Sequence, residues 1–235
     1  MKSSQKLAAV AAAAALIAVA AVSPASAHIG IRPGVDAAGS TTTALTAGKS
    51  GVLVFRIGHG CTEEETNIID PTTGKSLEGT KWGTHAFSVT VPVVAQGATG
   101  TTVPKAQYVP GFKTSLAKDA SGNYIVTWTA ISRDFDIPDG PAVTDSTIAA
   151  NQYADFGINI TWKADQGGNT VFFPSKQTCI VDVPGVKATK TTKAINPRHH
   201  LIYNDWSVTD GSGADTVKDD TEHNTAPSVV VLKSN

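Results

Sequence analysis

The stretch "HAFSVTVPVV" (residues 85–94) alternates with period two. Phe87, Val89 and Val91 fall on one side of an extended chain, Ser88 and Thr90 on the other. Successive strand side chains point to opposite faces, so this pattern describes a strand with one face in a core and one toward water. Four further runs are also rich in Val, Ile, Thr and aromatics, namely "SGVLVFRIG" (50–58), "NYIVTWTA" (123–130), "DFGINITWKA" (155–164) and "NTVFFPS" (169–175). Clusters such as "DASGN" (119–123) and "DQGGN" (165–169) punctuate them as turns. Beyond the first 27 residues no amphipathic helix stands out. Many short strands with regular turns predict an all-β chain, an antiparallel β-sandwich.

Around these runs lie two polar, turn-rich stretches, 62–83 and 132–152, which read as loop insertions. The chain from about 210 to 224 is low in apolar residues and reads as a flexible segment. "APSVVVL" (226–232) reads as a last strand returning to a sheet. His85 opens its strand in this reading, while His199 and His200, adjacent in "NPRHHL", read as loop residues.

The first 27 residues have the form of a secretory signal peptide. Lys2 and Lys6 give a basic start, Leu7 to Val22 an apolar middle, and Ala25-Ser26-Ala27 a small-x-small cleavage site. Sixteen apolar residues fall short of the roughly 20 that span a bilayer. The expected product is one domain over residues 28–235, exported and without a membrane span. Of 19 basic residues two lie in the leader, so the processed chain holds 17 against 20 acidic ones, a formal charge of −3. That balance disfavours nucleic acid or an anionic membrane surface as partner.

Cys61 and Cys179 are the two cysteines of the chain. In an oxidising compartment they most simply pair, closing a loop of about 118 residues and constraining the unfolded chain by roughly 4–5 kcal/mol. Two free thiols holding a soft metal are the alternative.

Cleavage after Ala27 would make His28 the first residue. An N-terminal histidine presents its α-amine and imidazole Nδ1 together, which close a chelate ring on a metal. The amine has an ordinary pKa near 8, so a metal can displace its proton at neutral pH. Nitrogen donors in tetragonal geometry favour Cu(II). Any residue can follow a signal cut, so the histidine alone does not decide the matter.

"AHIGIRP" followed by "FRIGHGC" (55–61) resembles the opening of YcnI-type copper-binding domains. "THAFSVTVP" (84–92), "YVPGF" (108–112), "YIVTWTA" (124–130), "NQYADFGINI" (151–160), "VFFPSKQTC" (171–179) and Trp206 in "LIYNDWS" (201–207) are similar to later segments of that family, in the same order. Phe112 stands where the family's Pro-Gly-Trp element has tryptophan. The resemblance implies an immunoglobulin- or fibronectin-like sandwich. It also implies Cu(II) held by the N-terminal histidine, His28, with a carboxylate and a tryptophan shaping the site, in copper acquisition or handling at the cell envelope.

Relatives without the disulfide carry a glutamate at the strand end that here reads Gly58-His59-Gly60-Cys61. His59 can take that ligand position or serve as a structural histidine beside the bridge. Glu64, between Glu63 and Glu65, can offer an oxygen ligand or belong to a solvated acidic loop. Trp206 can lie over the metal or pack in the core. The implied partner is a membrane copper transporter or another copper-handling envelope protein. A metal-free adhesive domain and a copper oxidase acting on polysaccharide are the competing readings. Gly-x-Ser-x-Gly and His-Glu-x-x-His are both missing from the sequence, so the expectation is a binding protein rather than an enzyme.

Overall fold

The computed structural model describes residues 29–35, 40–61, 82–131, 147–149, 151–183, 187–191, 193, 198–209 and 223–234. The leader (1–27), His28, Glu64 and most of the 62–83, 132–152 and 210–224 segments lie outside the described residues.

Twelve strands are described: β1 (Ile29–Pro33), β2 (Ser50–Ile57), β3 (Trp82–Val91), β4 (Lys105–Ala106), β5 (Phe112–Lys118), β6 (Tyr124–Ala130), β7 (Ala154–Thr161), β8 (Thr170–Phe172), β9 (Ser175–Val183), β10 (Arg198–Val208), β11 (His223–Thr225) and β12 (Ser228–Val230). They form a four-stranded sheet, β1-β2-β7-β4, a six-stranded sheet, β11-β10-β9-β3-β6-β5, and a small pair, β12-β8. All pairings are antiparallel except β10 with β11. The fold is an antiparallel β-sandwich.

The alternation in the opening stretch explains the packing. Phe87, Val89 and Val91 of β3 are fully buried, with Val126 and Trp128 of β6 beside them. Leu53, Phe55 and Ile57 of β2 and Phe156, Ile158 and Ile160 of β7 supply the facing layer. Aromatic rings join the layers. Phe156 lies 5.0 Å from Phe87 and 5.1 Å from Trp128, and Phe55 meets Phe173 edge-on at 5.6 Å. The buried indole N–H groups are satisfied, Trp128 donating to the Gln107 carbonyl (3.0 Å) and Trp162 to that of Ala44 (2.8 Å). On the opposite face of β3, Ser88 and Thr90 stay half-exposed.

Strands with weak alternation are not evident from sequence. β5 is exposed at every residue after Phe112, and β1, β9 and β10 carry mixed patterns. His199 and His200 lie within β10, paired with Asp182 and Val181, and not in a loop. The register with β9, rather than local composition, makes that segment extended. His85 is interior to β3, because the strand starts three residues earlier at Trp82. No helix among the described residues is long and apolar enough to cross a membrane.

Candidate functional site

One end of the sandwich holds His59 and the two cysteines singled out in the sequence. Ile29, the first described residue of β1, pairs with Ile57, and Ile57 pairs with Ala154 at the start of β7. Gly58, His59, Gly60 and Cys61 follow directly, so the chain enters the sheet beside the His-Gly-Cys segment.

The bridge between Cys61 and Cys179 is formed, with Cα atoms 5.8 Å apart. Both cysteines are essentially inaccessible to solvent. Such a bond matches a chain that folds under oxidising conditions. Thr84 Oγ1 lies 3.5 Å from Cys61 Sγ and accepts a hydrogen bond from Gln177 Nε2 at 2.6 Å. The β3–β9 register slips here: Thr84 faces Cys179 while Ala86 faces Thr178, leaving His85 as the extra residue of a bulge. His85 is buried, and desolvation pushes its imidazole below the ordinary histidine value. The neutral ring is therefore the folded form. Its share of stability is present above about pH 6.5 and is lost as pH falls through the lowered folded value. We expect the slope of unfolding free energy against pH, measured by denaturant titration between about pH 7 and 5, to flatten in His85→Gln. An unchanged slope would remove His85 as its source.

His59 is half-buried, with Nδ1 2.8 Å from the Gly60 carbonyl oxygen. A carbonyl only accepts, so in this contact Nδ1 is the donor. Metal-ligating histidines commonly hold their other nitrogen this way. The Gly60 amide donates to both the Ala149 (3.2 Å) and Gln152 (3.0 Å) carbonyls, tying these two residues to the His-Gly-Cys strand end. A Cβ at Gly60 would lie 2.1 Å from the Ile148 carbonyl oxygen, so only glycine permits this approach.

On the outer face at the same end, Arg56 grips Asp155 through two hydrogen bonds, at 2.7 and 2.8 Å, and Arg32 reaches the same carboxylate. Hydrogen bonding from Arg56 holds the Asp155 carboxyl below its usual range, against an opposing cost of burial and with help from Arg32. The Arg56 guanidinium also lies over the Tyr153 ring, 4.6 Å from its centre. A groove of about 700 Å³ runs alongside, bounded by the 109–112 turn, Thr147, Ile148 and residues 151–154. In that turn the Phe112 amide donates to the Val109 carbonyl (3.1 Å) around Pro110-Gly111, with Gly111 at φ +81°. Proline followed by a left-handed glycine is the type II pattern.

Trp206 is buried in the core cluster and pairs with Ser175. Cys179 pairs with Ile202, so Trp206 stands four residues along β10, about 13 Å from the level of the bridge. Phe112 is buried against Phe156, rings edge-on at 5.5 Å. The described residues bring His59, His85 and the bridge to one end and leave Trp206 farther down the core. Among them no cluster of three or more His, Cys, Asp or Glu side chains is arranged to hold a metal. The chain of contacts through Arg32, Asp155, Arg56 and Tyr153 has no signature in the sequence, because its members become neighbours only through the β1–β2–β7 register.

No protein-family model matches the chain, and a search of curated proteins finds no match. Among solved structures, an uncharacterized protein from Nocardia farcinica with an immunoglobulin-like fold aligns over 89% of this chain and 100% of its own, at 16% identity and a TM-score of 0.43. AvmM, which catalyzes macrocyclization in alchivemycin A biosynthesis, aligns over 89% and 91% at 10% identity and a TM-score of 0.26. Likenesses this distant carry no functional argument.

Proposed function

We propose that the chain is an exported, YcnI-type copper-binding protein of the cell envelope that holds Cu(II) through His28 once the leader is removed. The observation that carries this reading is the pairing of Ile29 with Ile57, which brings the start of β1 beside the His59 segment. The donor set suits the ion. The α-amine and Nδ1 of His28 would supply two nitrogens, His59 Nε2 a third, and Glu64 an oxygen, a set that favours Cu(II). The bound ion is the cargo, passed to a membrane copper transporter or another copper-handling envelope protein. Trp206, being in the core, takes a packing role in this reading.

Mass spectrometry of the secreted chain should find His28 as the first residue, and Cu(II) titration should reach 1:1. His28→Ala, or one extra residue before His28, should weaken binding by at least about 100-fold, the top of the range for losing a mere outer-shell partner of a metal ligand. His59→Ala should weaken it less. Equal copper affinity in a correctly processed His28→Ala chain would exclude the proposal and favour a metal-free structural domain.

A further inference from the structure

We infer that the groove beside Tyr153 is a binding site for a neutral oligosaccharide, a function separate from copper and independent of it. The side chains described in its lining are uncharged. Pro110, Phe112 and Ile148 supply apolar surface, while Asn151 and Gln152 border it as exposed residues, Gln152 Oε1 accepting from the Ala149 amide at 3.1 Å. That mixture suits a molecule with apolar ring faces and hydroxyl edges.

The decisive feature is Tyr153. The residue is 64% exposed, yet its ring is braced from one side by Arg56. Arg56 is in turn fixed by its two-pronged bond to Asp155, which Arg32 also holds. A ring already held in place spares the ordering cost of binding, a cost that is modest for tyrosine with its two side-chain torsions. Here the ordering is already achieved by a chain of charged groups that does not enter the groove. The electron-rich face of a fixed aromatic ring attracts the partly positive C–H groups on the flat side of a pyranose. An exposed, braced tyrosine beside two exposed amides and apolar surface combines stacking with hydrogen bonding, as a ligand with apolar ring faces and hydroxyl edges requires.

The test uses the purified chain kept metal-free with EDTA, so that its outcome is separate from that of the copper proposal. Cellohexaose, chitohexaose and maltohexaose are titrated calorimetrically, with saturation-transfer NMR recording which sugar protons approach an aromatic ring. Binding of at least one, with ring-face protons saturated, supports the site. Tyr153→Ala should weaken that binding several-fold to about tenfold, the range of one aromatic stacking contact, while Tyr153→Phe retains it. Tyr153 is largely exposed, so neither change reaches the core, and circular dichroism verifies the fold. Failure of all three sugars to bind overturns the inference. So does binding that Tyr153→Ala leaves unchanged, or uptake of an apolar dye such as anilinonaphthalene sulfonate without any sugar binding.

Discussion

Replacing both Cys61 and Cys179 by serine should lower the stability of the chain by about 4–5 kcal/mol and its melting temperature by about 10–15 °C. The reason is mainly the length of the closed loop. The bridged residues are 118 apart, and tying such distant points together removes many conformations from the unfolded chain. A second contribution is local. Both sulfurs are buried beside Thr84, Gln177 and Asn204, and serine hydroxyls there would have to find partners in the same confined polar cluster. Thermal unfolding followed by circular dichroism, with and without a reductant able to reach the bridge after unfolding, checks this. A fall of less than about 3 °C in the double variant would mean that the unfolded chain is already compact enough to make the tether redundant.

Gly60→Ala should cost about 2–3 kcal/mol although it adds one methyl group. The new Cβ would sit 2.1 Å from the Ile148 carbonyl oxygen and 2.4 Å from that of Ala149, both backbone atoms without a flexible side chain to yield. Either Gly60 retreats, breaking its two hydrogen bonds to Ala149 and Gln152, or the segment around Ile148 and Ala149 moves and takes the groove wall with it. The same shift would re-aim His59 and strain the approach of Cys61, so copper affinity and sugar binding should both fall with stability. Gly30→Ala is the control. A Cβ placed on Gly30 would meet no atom within 4 Å, and its substitution should change stability by under about 0.5 kcal/mol. Equal melting temperatures for the two variants would show that the segment around Ile148 and Ala149 yields freely.

Much of the sandwich was legible because its central strands are amphipathic in a strict sense. Phe87, Val89 and Val91, or Phe156, Ile158 and Ile160, are placed by period two alone. Strands β5 and β10 were not legible. β5 owes its extension to pairing with β6 and has little of its own surface to bury, so its sequence shows little alternation. β10 contains adjacent histidines and an Asn-Asp pair, and its long register with β9, from Arg198 to Trp206, overrides those local preferences. The pairing of the two cysteines was legible from their number and the expected compartment. The partners of the sulfurs were not, since Thr84 and Asn204 reach them through a bulge and a neighbouring strand.

Local chemistry, then, was enough to specify a two-faced β chain, a leader-like segment ending at Ala27, a single possible disulfide and a histidine directly after the expected cut. These depend on residue order and on covalent neighbours. Tertiary pairing decided the rest. It brought Ile29 against Ile57, tied Ala149 and Gln152 to Gly60, sent Trp206 into the core and placed Arg56 over Tyr153 while it holds Asp155. Such relations join residues up to about a hundred positions apart. Strand register creates them, and register is a property of the whole sheet, minimised over all its buried faces at once.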